Sequence, residues 1–221
     1  MSIAKKMIVD GMSWADIVEV AKSDTGPVLR EVHARAPQYI AKIMSTTRRG
    51  PLVFRPFDIP RPSGITWAVR FSSLSKADTK KNGPFFNLYG LFYYRGGLFV
   101  IFTYNLRAGA WGVSFQYAIF TPHFFERYRE RYLQEPARPI DETISEFFKY
   151  NARSFESDYN PDRDGTQQYF CTFAQGVGIA KMEGGVEVVK TFITREMLFS
   201  GQADTYARGL DYIREYEQLN L

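Results

Sequence analysis

Apolar positions change period along the chain. Up to about residue 50 they fall at helical spacing, from there to about 120 mostly at strand spacing, and the two patterns alternate afterwards. Ser13 stands where a helix N-cap is expected, with Asp16 in the first turn, and Trp14, Ile17, Val18 and Ala21 then share one helical face. Asp24-Thr25-Gly26-Pro27 reads as a break. A second helix is expected to begin at Pro27, with Val28, Val32, Ile40, Ile43 and Met44 as its apolar positions and Pro37 kinking or dividing it.

The stretch Pro51 to Pro62 holds four prolines yet also Leu52, Val53, Phe54, Phe57 and Ile59. A solvated linker would not carry these, so an extended segment packed on the body is expected. Ile65 to Ser72 reads as a strand and Ser75 to Pro84 as a polar turn. Phe85 to Tyr94 and Leu98 to Tyr104 form a hairpin about Arg95-Gly96-Gly97, and after a turn region Val113 to Phe120 reads as a further strand. Thr121-Pro122 starts a helix that runs to about Leu133. Pro136 to Pro139 breaks the pattern, Asp141 is expected to cap a helix to about Asn151, and Ser154 to Gly165 reads as a loop. Gln167 to Phe173, Val177 to Met182 and Val186 to Ile193 read as strands, the last two joined at Glu183-Gly184-Gly185. Thr194 opens a final helical region that Gly201 and Gly209 are expected to interrupt. Short turns between strands favour antiparallel pairing. The expected fold is one α+β domain over 1–221: a helical part over 1–50, then a body over 51–221 whose antiparallel sheet carries packed helices.

Composition sharpens this only slightly. Of 221 residues 45% are hydrophobic and 16% aromatic, which suits a β-rich core with no need of covalent staples. The single cysteine, Cys171, lies in a strand pattern and reads as a buried thiol. No secretory leader or membrane-length apolar run is evident, so a cytoplasmic protein without membrane attachment is expected. The net charge of +4 fits RNA or another polyanion as partner.

Several chemistries find no foothold. Phosphate-loop motifs are missing, and His33, His123 and one cysteine do not make a usual zinc site, so neither metal nor cofactor is expected. Asp158-x-Asn160-x-Asp162-x-Asp164-Gly165 alternates oxygen ligands like a calcium loop, but Pro161 interrupts it and the glycine is out of register; a solvated loop explains it. Arg48 and Arg49 with Lys76, Lys80 and Lys81 form either an extended basic surface or scattered solubilising charge.

The segment that can carry chemistry is Thr121 to Tyr132. His123, Arg127 and Arg131 recur at i, i+4 and i+8, along one helical face, with Phe124, Tyr128 and Tyr132 on the adjacent one. An imidazole can move a proton near neutral pH, and guanidiniums can fork onto phosphate oxygens. Tyr128 or Tyr132 could supply an acid or a base-stacking platform. Glu126 and Glu130 interleave with the arginines, so the same face also reads as a solvated row of ion pairs.

A strand ending in Thr, followed by His-x-x-x-Arg-x-x-x-Arg on a helix, resembles a pattern in the barnase–EndoU–colicin–RelE superfamily of toxin-type endoribonucleases, and the strand Val188 to Thr194 is similar to their late core strands. The resemblance spans about Phe120 to Thr194. It implies a metal-independent site with His123, Arg127 and Arg131 as catalytic residues and Lys190 and Thr191 lining it. Two classes of function stay open: an RNA-binding or endoribonuclease-like domain, and a non-catalytic module that binds a protein partner through exposed aromatics between Phe85 and Tyr104.

Overall fold

The structure is a computed structural model, and it describes residues 7–107, 117–151, 154–159 and 168–219. The fold class is α+β, with antiparallel pairing throughout the described ladders except one parallel pair. The chain divides into two compact units, 1–117 and 118–220.

The first unit opens on α1, Trp14–Ser45. Ser13 and Asp16 form a reciprocal capping box, each side chain meeting the other's backbone N–H. The helix does not break at Asp24-Thr25-Gly26-Pro27; it continues through both Pro27 and Pro37. Tertiary bonds override the local signal. Asp24 is buried and accepts from Ser63 Oγ and from Trp67 Nε1 (3.3 Å), with Arg61 3.6 Å away. Thr25 Oγ1 donates to the Ala21 carbonyl and bonds Tyr117 Oη at 2.7 Å. Residues that favour turns in isolation here anchor a helix to its sheet.

The sheet of this unit runs through β1 (Leu52–Val53), β2 (Phe57–Pro60), β3 (Thr66–Ser73), β4 (Phe85–Tyr94) and β5 (Gly97–Arg107). β1 and β2 both pair with β3, as the apolar residues of the proline-rich stretch require. β4 and β5 form the expected hairpin, with Arg95 and Gly96 both at positive φ (48° and 75°). The expected polar turn at 75–84 is instead a short helix, α2 (Lys76–Asn82), capped by Ser75 Oγ on the Asp78 amide. Trp67, Phe71, Phe86, Leu88, Tyr89, Phe92 and Phe102 fill the core, and Tyr39 of α1 stacks on Phe71 at 4.2 Å. The aromatics between Phe85 and Tyr104 are therefore core where their side chains are described, apart from the half-buried Phe99 and the exposed Tyr93.

The chain enters the second unit within β6 (Tyr117–Phe120). Here β6 pairs in parallel with β10 (Val186–Ile193), followed by β9 (Gly176–Glu183), β8 (Gln168–Phe173) and β7 (Phe155–Tyr159), all antiparallel. β7 occupies part of the expected loop at 154–165; residues 160–165, most of the calcium-like run, lie outside the described residues. So do residues 108–116, which carry most of the turn expected at 106–112 and the start of the strand expected from Val113.

Three helices complete this unit. α3 (Pro122–Tyr128) is capped by Thr121, as expected, and continues as one π-turn, Arg129–Leu133. α4 (Ile140–Tyr150) starts with Pro139 at its cap, so Asp141 complements the first turn rather than capping it. After a 3-10 turn at Arg195–Met197, α5 (Ser200–Leu219) runs uninterrupted through Gly201 and Gly209. Gly209 is there for contact: a Cβ on it would lie 2.5 Å from Thr172 Oγ1, so the missing side chain lets α5 press onto β8. On the opposite face Phe120, Phe124, Phe125, Phe147, Phe148, Phe173 and Phe192 make a fully buried aromatic cluster with ring centroids 5.0–6.2 Å apart. Among the described residues, no helix is long and apolar enough to cross a membrane.

Candidate functional site

Thr121 fixes the start of α3 against β10. Its amide donates to the Val189 carbonyl, and its hydroxyl donates to the Lys190 carbonyl at 3.0 Å while capping the Phe124 amide. Between Val189 and Thr191 the β10–β9 register shifts, so Lys190 sits on a bulge. The bulge therefore lies against the first turn of α3, and Phe124, Phe125 and Tyr128 turn inward.

That leaves His123 and Arg127 outward. Arg127 Nε donates to His123 Nε2 at 3.4 Å, and the His123 side chain is 50% exposed. The row is not free of acid: His123 Nδ1 lies 3.6 Å from Glu126, and Arg127 Nη1 bonds Glu130 at 2.6 Å. Arg131 differs. The π-turn interrupts the α-helical period on which i, i+8 spacing rests, and Arg131 reaches inward to donate to the Phe192 carbonyl at 2.5 Å. Burial, and then the nearby charge of Arg127, lower its pKa. The three groups thus remain neighbours, but Arg131 is partly spent on the β10 backbone.

The tyrosines divide sharply. Tyr128 is fully buried, and its hydroxyl donates to Gln175 Oε1 at 2.8 Å. The same Gln175 oxygen accepts from Asn151 Nδ2 at 2.6 Å, while Asn151 Oδ1 accepts from the Gln175 amide. Burial raises the Tyr128 pKa. This hydroxyl joins α3, α4 and the β8–β9 turn, and it is not presented as an acid to anything at the surface. Tyr132 stacks on it at 5.5 Å with planes 10° apart and keeps 41% of its surface exposed. Lys190 pairs with Glu183 at 2.7 Å, and Thr191 is half-buried in the ladder opposite Ile179.

Two features were not singled out from sequence. Arg138 is the hub of an acidic set, Glu135 (3.0 Å), Glu142 (4.0 Å) and Glu146 (3.9 Å), and its carbonyl accepts from Arg129, which ties the π-turn to α4. Cys171 is buried as expected, but its thiol donates to Glu187 Oε1 at 2.9 Å. Burial, and then the charge of Glu156, push the Glu187 carboxyl up to about 8, and burial raises the thiol well above its usual range. Alternation along Val186-Glu187-Val188-Val189 could have flagged Glu187 as facing inward. No group of three metal-ligating side chains suited to an ion occurs among the described residues.

No protein-family model, curated protein or solved structure matches the chain.

Proposed function

We propose that the chain is an RNA-binding protein that uses the outward face of α3 and its π-turn: His123, Arg127, Arg131 and the exposed ring of Tyr132. The observation that carries this is the 3.4 Å contact of the His123 and Arg127 side chains on an exposed face, with a stacking ring one turn on. Phosphate must compete with Glu130 for Arg127. That exposed ion pair stabilises by no more than about 1 kcal/mol, whereas a charge-assisted bond to phosphate is stronger, so the exchange is cheap. A base stacked on an aromatic ring contributes about 1–3 kcal/mol. The resemblance to toxin-type endoribonucleases supports the same surface. Cleavage would need an acid for the leaving oxygen, and the Tyr128 hydroxyl is held by Gln175 with its pKa raised, so binding is the reading adopted here.

The test is fluorescence anisotropy with a short single-stranded RNA, with and without EDTA, followed by a gel for cleavage. The variant His123→Ala/Arg127→Ala should weaken binding about tenfold or more at unchanged thermal stability. Undiminished binding by that variant overturns the reading. Cleavage in EDTA that needs His123 would promote the site from binding to catalysis.

A further inference from the structure

We propose a second anion site, in the first unit, that accepts a phosphate group between Arg48, Arg49 and Lys76. It is independent of the α3 surface and does not rest on it.

The site follows from strand register. Leu52 of β1 pairs with Ser73 at the end of β3, which brings the loop leaving α1 beside the loop entering α2. Gly50, at φ +96°, lies in the loop between α1 and β1. Lys76, the first residue of α2, then reaches back to donate to the Met44 carbonyl at 2.9 Å and fastens the two loops together. Between them lies a cavity of about 350 Å³ whose lining includes Thr47, Arg48, Arg49, Leu52, Ser73 and Lys76.

Its chemistry is one-sided. Three cations line it, and no carboxylate does. Among the described residues no acidic side chain pairs with Arg48 or Arg49, both of which are exposed. Lys80 and Lys81, further along α2, are also exposed. The nearest acid on that helix, Asp78, is buried and accepts from Asn82 at 2.9 Å. Leu52 is the one apolar side chain in the lining. Like charges held together without counter-ions repel one another, and an anion would relieve that repulsion. Two adjacent guanidiniums with an ammonium and a nearby hydroxyl, Thr47, offer the fork and point-charge donors that phosphate oxygens accept. The phosphate could belong to a free phosphoanion or to a nucleic-acid backbone.

The experiment is calorimetric titration of the full chain with pyrophosphate, and separately with a short single-stranded RNA, at low and at matched higher ionic strength. The parent is compared with Arg48→Ala/Arg49→Ala, Arg49→Glu and His123→Ala/Arg127→Ala. Both arginines are exposed loop residues, so melting temperature without ligand should stay within a degree or two of the parent. The expected result is pyrophosphate binding that falls about tenfold or more in both arginine variants and is untouched by the α3 variant. If only RNA binds, and its affinity drops in the Arg48/Arg49 variants, the phosphate comes from a nucleic-acid backbone. Failure of both probes to bind, or binding indifferent to Arg48 and Arg49, overturns the site, whatever the α3 variant does.

Discussion

Replacing Glu187 with glutamine should stabilise the protein at neutral pH. Glu187 lies largely buried, accepts from the Cys171 thiol and shares a hydrogen bond with Glu156, and its carboxyl is pushed up to about 8. In the unfolded chain a glutamate titrates near about 4.3. Between those two values the folded state keeps a proton that the unfolded state releases, so stability falls as pH rises through this window. Each unit is worth about 1.4 kcal/mol, so at pH 7 the loss is at most roughly 4 kcal/mol. Partial exposure and exchange with solvent bring the figure to about 2 kcal/mol. Glutamine keeps the shape, accepts from the thiol through its carbonyl and donates to Glu156 through its amide, yet cannot ionise. Urea unfolding followed by far-ultraviolet circular dichroism at steps from pH 4.5 to 8.5 measures this. Glu187→Gln should match the parent near pH 4.5 and exceed it by about 2 kcal/mol at pH 7. Parallel pH profiles for the two proteins would refute the argument, because they would mean that Glu187 titrates alike in both states.

Three other substitutions probe packing. Phe124→Ala removes a fully buried ring that meets Phe120, Phe125, Phe147, Phe173 and Phe192, and should cost about 3–5 kcal/mol in denaturant unfolding. Gly209→Ala places a methyl within 2.5–2.9 Å of the Thr172 side chain and should destabilise by about 1–3 kcal/mol despite the higher helix propensity of alanine, whereas Gly201→Ala, with open space around it, should be neutral or stabilising in the same thermal melts.

Features whose causes are local were legible along the chain. The Ser13 and Thr121 caps, the Arg95-Gly96 turn and the three strands after Gln167 are written in neighbouring residues, because capping bonds, positive φ and alternating burial need nothing from afar. The same reading placed His123 and Arg127 on one exposed helical face, and there they touch. Contacts between distant residues set the rest. Asp24 and Thr25 sit inside α1 because Ser63, Trp67, Arg61 and Tyr117 answer their polar groups, and those partners are 37 to 92 residues away. Gly209 stays helical because α5 needs its bare face against Thr172. Tyr128 is held inward by Gln175, and Arg131 is tethered at one end by the Phe192 carbonyl, so the helical row is not presented to the surface as three equivalent groups. The gathering of Arg48, Arg49 and Lys76 depends on the pairing of Leu52 with Ser73. In each case the deciding energy is that of a long-range contact, and spacing along the chain carries no record of it.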